Sequence, residues 1–338
     1  MGMPIGAPMA GLWAGGSGRQ QSIRRALFEI GEEGTGAGEV EGSVSTTENA
    51  ARALKTLKEE EWRTLAGLER STAGYGTPDL GRLSRMSRLP LDRVRFATGA
   101  LEKKGLASRR GQGYVLTWEG VEVMALKDYV KKDLIFALGA IIAKGKESDV
   151  YEALTEEGAV YALKLYKIGR ISFTSIRKKR VRESAEFRSW MTANYDAAKR
   201  EYHALRRLEG LGPTFPKAVA YSRSTVLLQE LSGVRLSQRP QLEDPKGALK
   251  TIVGSMRTAY VRAGLVNADL SEYNILTDGA SIWLIDWPQA VEAGHPNSSE
   301  LLMHDVKAVT LFFARAYGVE SDPDKVFQYV SGRTGTLE

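Results

Sequence analysis

The stretch Val266-Asn267-Ala268-Asp269-Leu270-Ser271-Glu272-Tyr273-Asn274-Ile275-Leu276, followed by Trp283-Leu284-Ile285-Asp286, decides how the rest of the chain reads. Asp278-Gly279-Ala280 is a turn signal between two short apolar runs, so the segment predicts a loop that feeds a β-hairpin. A helix is expected before it from Ala248 to Arg262, closed by Gly264. Asp269 and Asn274 are five residues apart and Asp286 lies past the hairpin. In that order the first carboxylate can orient or deprotonate a nucleophile. An amide oxygen and the second carboxylate suit magnesium, a hard cation that keeps part of its water shell. A D-x-x-x-x-N match alone is weak, and the surrounding helix, loop and hairpin are what make it specific.

Working upstream, runs of β-branched, aromatic and apolar residues at 134–143, 148–155 and 159–166 predict a strand meander turned by Glu156-Glu157-Gly158. Val160-Tyr161-Ala162-Leu163-Lys164 puts a lysine in its last strand, where the ammonium can grip α- and β-phosphates, and Glu201 on a helix around Ala198 to Leu208 is the carboxylate to hold it. The alternative is a surface lysine on an edge strand with a solvated glutamate. Ala143 to Tyr151 joins two strands as a phosphate-covering loop should. It is not G-x-G-x-x-G, but Gly145, Lys146, Ser148 and Val150 can offer backbone amides, a charge, a hydroxyl and an apolar wall. After a strand pair from Lys217 to Leu231, the backbone of Glu230 and Leu231 would meet an adenine edge. In chain order these features predict an α+β fold, a reduced two-lobed protein-kinase-like domain binding ATP and Mg2+, with Mn2+ as a possible substitute. Lys164, Asp269 and Asp286 are its candidate catalytic residues; Asn274 and Asp286 are its metal ligands.

Ahead of this domain, residues 46–126 read as a winged helix. One helix is expected from about Glu48 to Arg70 and a second from a Thr77-Pro78 start to Met86. A third follows Pro90, with Leu91, Val94, Thr98 and Leu101 on its inner face and Gly105 at its end. A hairpin turned by Gly111-Gln112-Gly113 forms the wing. Nine basic residues against two acids between Arg82 and Arg110 give this segment a net charge of +7, while the whole chain carries +6. Arg93, Arg95, Arg109 and Arg110 are the candidate nucleic-acid contacts, a solvated basic face being the plain alternative. Glu119 to Lys132 reads as a linker helix, giving domains at 127–232 for the N-lobe with that helix and 233–338 for the C-lobe. Residues 1–45, Gly-rich and without an apolar period, predict a disordered tail.

The segments G-K-E-S-D-V-Y, A-L-K, A-K-R-E-Y, N-A-D-L-S-E-Y-N-I-L and L-I-D-W-P-Q-A-V together resemble the RIO family of atypical serine/threonine protein kinases. With the winged helix in front, the likeness is to its second subfamily, of archaeal type, over about Glu48 to Gly318. The resemblance implies that Ser148 touches ATP, that Lys164 grips phosphate, and that Asp269, Asn274 and Asp286 serve catalysis and metal. It also implies autophosphorylation, an ATPase cycle through an aspartyl phosphate at Asp286, and a role in small ribosomal subunit maturation with precursor rRNA and ribosomal proteins as partners. Asn267-Ala268 stands where the family has His-Gly, and Trp287 where it has Phe.

Composition narrows the rest. The chain has 338 residues and no cysteine, which excludes disulfides, thiolate metal sites and cysteine nucleophiles. The three histidines, His203, His295 and His304, lack metal-ligand spacing. Neither a signal peptide nor a membrane span is read, so a cytoplasmic location is expected. Eight basic residues and no acid lie between Lys164 and Arg182, among them Arg177, Lys178, Lys179 and Arg180; a solvated helix face is the plain account for any one of them, and collectively the run suits RNA contact or closure over ATP phosphates. With 52 residues after Asp286, no full peptide-docking half is expected. A small-molecule phosphotransferase of the aminoglycoside or choline type and an inactive nucleic-acid-binding scaffold are the competing readings.

Overall fold

The computed structural model describes residues 28–29, 46–74, 77–169 and 183–337. The basic residues Arg177 to Arg182 and most of the 1–45 tail lie outside them. Within that tail the structure adds a feature the sequence did not signal. Strand β1 (Phe28–Glu29) pairs antiparallel with the sheet edge at Leu138 and Ala137.

The single helix expected over 48–70 is two, α1 (Thr46–Thr56) and α2 (Glu59–Gly74). The Lys58 backbone N–H donates to the Glu61 carboxylate at 2.7 Å, so the glutamate closes a new helix start that lacks the usual Ser, Thr or Asp. Helix α3 (Leu80–Ser87) is capped by Asp79, not by Thr77, because the Asp79 carboxylate accepts from Arg82 N–H. Helix α4 (Leu91–Lys103) turns Val94, Ala97, Thr98 and Leu101 inward and ends at left-handed Gly105. Leu91, expected on that inner face, is exposed at its first turn. The wing is β2 (Ala107–Arg110) against β3 (Gly113–Leu116), and Thr117 then caps α5 (Trp118–Val130).

Helix α5 is no mere linker. It is apolar on almost every side, with Val121, Val123, Met124, Leu126 and Tyr129 buried, which is the pattern of a helix enclosed all round. It lies between the winged helix and a six-stranded antiparallel sheet in the order β1-β4-β5-β6-β8-β7. Those strands are β4 (Ala137–Lys144), β5 (Ser148–Leu154), β6 (Val160–Tyr166), β7 (Ala218–Ser222) and β8 (Thr225–Gln229). One hydrophobic core therefore runs from Leu65, Leu83 and Leu101 through α5 to Leu163 and Leu227 of the sheet. Trp118 stacks on Trp190 of α6 (Glu183–Leu208), and Arg223 binds Glu69 at 2.7 Å and Asp128 at 2.6 Å across the same junction.

A second core fills the C-lobe, built on α7 (Pro245–Ala263) and α8 (Ser298–Tyr317), with a short α9 (Pro323–Val330) that the sequence reading did not anticipate. Left-handed Gly264 ends α7 and turns the chain into the 267–274 loop and the hairpin β9 (Ile275–Thr277) with β10 (Ile282–Leu284). Since Leu126 is 1% exposed within the shared core, Leu126→Ala should cost about 2–5 kcal/mol. Denaturation followed by near-UV circular dichroism and by tryptophan fluorescence should show the winged helix and sheet melting in one transition, whereas two separated transitions would contradict a shared core.

Candidate active site

Strand β6 is central, not an edge, since Lys164 is paired with Val150 on one side and Val226 on the other. That register fixes the backbone of Lys164 and sends its side chain into the cleft between the lobes. Its Nζ lies 2.8 Å from Glu201 Oε1 and 2.9 Å from Asp286 Oδ1. Burial would pull the ammonium down, but the charges of Glu201 and Asp286 outweigh it and hold Lys164 above its ordinary value. Tyr166, two residues along on the same strand face, donates its hydroxyl to Glu201 Oε2 at 2.6 Å. Both oxygens of the buried Glu201 are thus occupied.

The loop holds its own geometry. The Asn274 amide nitrogen donates to the Asp269 carbonyl at 2.8 Å, which turns its amide oxygen away from the backbone. The Ile285 N–H donates to the Asn274 carbonyl at 2.9 Å, tying the loop to the strand that delivers Asp286. Partial burial and then the charge of Asp286 push the Asp269 carboxyl above its ordinary value, against the pull of Asn274, which moves a candidate base toward neutral pH. Asp286 sits at φ 65° and Ala268 at φ 67°, both left-handed. For alanine this costs on the order of 1–2 kcal/mol, a strain that glycine would not carry.

Two further residues organise this loop, Asn267, which the sequence reading noted only as a departure from the family's His-Gly, and Asp305, which it passed over. Asn267 is buried, donates from Nδ2 to the Asp286 carbonyl at 3.1 Å and accepts from the Asp269 N–H at 3.2 Å, so one side chain spaces the two aspartates. Asp305 of α8 accepts from the Ala268 N–H at 2.8 Å and the Leu270 N–H at 3.0 Å. Its signal was available, a carboxylate set among Leu302, Val306 and Val309 on a buried helix stripe. Burial pushes the Asp305 carboxyl up to about 7, the two backbone donors opposing it. Trp287, where the resemblance expects Phe, is buried in the C-lobe core with its indole N–H on the Leu284 carbonyl.

Of the remaining expected residues, Gly145 and Lys146 are exposed in a turn closed by the Gly145 N–H on the Ser148 carbonyl at 2.8 Å. Any Cβ at Gly145 would stand 2.9 Å from that carbonyl, so the turn requires glycine. Ser148 and Val150 are half-buried on β5; Glu230 and Leu231 are half-buried just past the last ladder residue, Gln229. Arg95, Arg109 and Arg110 are exposed on the winged helix, far in sequence from this cleft. Arg93 is exposed as well, but its guanidinium is engaged by Glu60 at 2.9 Å. Its charge is therefore partly spent within the fold.

Among the described residues no three Asp, Glu or His side chains converge as a metal cage. The donors available for magnesium are the Asn274 amide oxygen and the Asp286 carboxylate. Two hard oxygens fit a cation that takes its other ligands from phosphate and water.

A buried lysine between a glutamate and an aspartate, with a second aspartate and an asparagine on one loop, set between two lobes, is the arrangement of a protein-kinase-like ATP phosphotransferase. Residues 149–326 match the RIO domain. A RIO-type serine/threonine-protein kinase Rio2 of Methanocaldococcus jannaschii is 31% identical over 266 residues, covering 75% of this chain and 97% of that one. The serine/threonine-protein kinase rio2 of Schizosaccharomyces pombe is 26% identical over 80% of each chain. A solved Rio2 kinase-ADP/Mg2+-phosphoaspartate complex from Chaetomium thermophilum matches with a TM-score of 0.73 at 26% identity, covering 84% of this chain and 89% of that one. The chain belongs to the RIO family of atypical serine/threonine protein kinases. Kinases of this family use ATP and Mg2+.

Asp305→Asn keeps one acceptor for two backbone donors, so kcat should fall about 10- to 100-fold with the KM for ATP little changed. The pH dependence has a definite sign. An unfolded aspartate has lost its proton above its ordinary value of 3.8, whereas folded Asp305 keeps one up to about 7. Its contribution to stability is complete below the first value and lost as pH rises through the second. Melting temperatures measured from pH 4 to 8 should fall less steeply for Asp305→Asn than for the parent chain.

Proposed function

We propose that this chain is a Mg2+-dependent serine/threonine kinase and ATPase that acts in maturation of the small ribosomal subunit in the cytoplasm, contacting RNA through its winged helix. The enzymatic part rests on one observation, the Lys164 ammonium held between Glu201 and Asp286 beside Asp269 and Asn274. For a protein substrate, Asp269 takes the proton of a Ser or Thr hydroxyl as its oxygen bonds to the γ-phosphorus and the bond to the ADP oxygen breaks. Bound magnesium supplies charge neutralisation for the phosphates. For hydrolysis, an Asp286 carboxylate oxygen attacks the γ-phosphorus and ADP leaves with the bridging oxygen. Water then attacks the aspartyl phosphate, freeing phosphate and restoring the carboxylate. Lys164 covers Asp286 Oδ1, so the other oxygen is the nucleophile. The phosphoaspartate in the Chaetomium thermophilum relative supports this route.

Against an inactive scaffold stands the whole set, Lys164, Asp269, Asn274 and Asp286, retained together at one cleft. For the RNA reading, the support is the exposed set Arg95, Arg109 and Arg110 together with Phe96, which is 69% exposed on α4 and offers an unpaired base a stacking face. Among the described residues no helix is long and apolar enough to cross a membrane.

Asp286→Ala should remove magnesium-dependent ATP turnover, and Asp269→Asn should lower phosphoryl transfer about 100-fold or more. Turnover persisting in Asp286→Ala would overturn the enzymatic assignment. Each phosphate contact contributes about 0.7–0.9 to the slope of log affinity against log salt, so replacing Arg95, Arg109 and Arg110 by Ala should lower that slope by about 2 on small-subunit rRNA. An unchanged slope would remove the winged helix from the RNA contact.

A further inference from the structure

A second buried lysine lies three residues beyond the first. Lys167, just past β6, is 2% exposed and places its Nζ 3.1 Å from Glu122 Oε1 and 3.0 Å from Asp149 Oδ2. Glu122 and Asp149 are themselves 2% and 3% exposed. None of the three takes part in the chemistry described above. Glu122 belongs to α5, on the winged-helix side of the sheet, while Asp149 directly follows Ser148 of the phosphate-covering turn. The backbone of Lys167 grips the same turn, its N–H donating to the Glu147 carbonyl at 2.6 Å. Lys167 thus holds the turn by main chain at 147 and by side chain at 149, on either side of Ser148.

What fixes the Lys167 ammonium is then decisive. Glu122 faces the Lys167 ammonium as its ion-pair partner, with the buried hydroxyl of Thr47 beside the same carboxylate. Two carboxylates share one ammonium. Burial lowers a lysine, but Glu122 and Asp149 hold Lys167 above its ordinary value, while burial pushes Glu122 upward against the pull of Lys167. Such a cluster stabilises a fold no better than apolar groups of equal volume would. Its distinctive effect is directional, because charges at about 3 Å in a low dielectric lose energy steeply when one of them moves.

We infer that Glu122 is a positioning residue for ATP: through Lys167 and Asp149 it sets the geometry of the Gly145–Ser148 turn. The inference rests on the reading that this turn covers the phosphates. It makes a side chain of the winged-helix side part of the nucleotide site without touching nucleotide.

The test uses the full chain and measures kcat and KM for magnesium-ATP in Glu122→Leu, Glu122→Gln and Val123→Ala. Glu122→Leu should raise KM about tenfold with kcat altered less than about threefold, since loosening the turn weakens a binding contact more than the chemical centre. Glu122→Gln keeps an acceptor for the ammonium and should fall between Leu and the parent; if Glu122→Leu does not fold, this variant carries the test. Val123, buried on the same helix, controls for general loosening, and Val123→Ala should lower the melting temperature while leaving KM unmoved. A folded Glu122 variant with the parental KM, or an equal rise in Val123→Ala, overturns the inference alone. A parent chain without saturable magnesium-ATP turnover would overturn the site reading and the inference together.

Discussion

The cleft depends on a single ammonium shared by two carboxylates. Lys164 comes from a central strand, Glu201 from the long helix α6 and Asp286 from the far lobe, at a left-handed turn. Remove the lysine and two carboxylates face one another with Glu201 fully enclosed, a desolvation cost of several kcal/mol that its remaining neutral donors offset only in part. The surrounding features follow from keeping these three groups in place. Tyr166 occupies the second Glu201 oxygen, the Trp287 N–H approaches the first at 3.3 Å, and Asn267 fixes the Asp286 carbonyl. The backbone strain at Ala268 and Asp286 persists because these bonds over-determine the loop.

Strand β6 serves both faces of the sheet through its period of two. Lys164 and Tyr166 face the cleft, while Lys167 leaves the strand end toward α5 and the winged helix. Each lysine is held by two carboxylates and each triad joins elements distant in sequence. Lys164 links the lobes; Lys167 links the winged-helix side to the phosphate turn. A one-residue slip of β6 would exchange the two faces and leave both ammonium groups without partners, so the triads specify register as well as charge.

Much of the cleft was legible because its chemistry is written locally. Asp269 and Asn274 must share one loop, and the hairpin before Asp286 is short, so spacing together with the flanking helix and hairpin carries the geometry. Lys164 was readable once a carboxylate and a second aspartate appeared in order. What escaped depends on partners far along the chain. Nothing near Glu122 or Lys167 in sequence indicates their pairing, and α5 looked like a linker because an all-round apolar helix has no amphipathic face to announce what covers it. The ion pair of Arg93, a candidate nucleic-acid contact, was not visible because Glu60, its partner, lies on another helix. Leu91 was placed inward by periodicity, but a first-turn residue has no preceding turn to shelter it. Asp305 was visible in principle and was passed over for want of a motif.

The distribution of apolar and polar contacts decides where the molecule can move. Between winged helix and sheet the join is a continuous core with a tryptophan stack and a buried ion triad, so separating them exposes apolar surface and strands charge at once. Between the lobes, Leu205, Leu208 and Phe215 are buried in the C-lobe core, and the polar ties are Lys164 to Asp286, the Trp287 N–H to Glu201, and Arg200 Nε to the Pro288 carbonyl at 2.8 Å. Such bonds exchange with water at a net cost of about 0.5–1.5 kcal/mol each, or somewhat more when charged. The winged helix and the N-lobe share one core, and Glu122, Lys167 and Asp149 tie the winged-helix side directly to the phosphate turn.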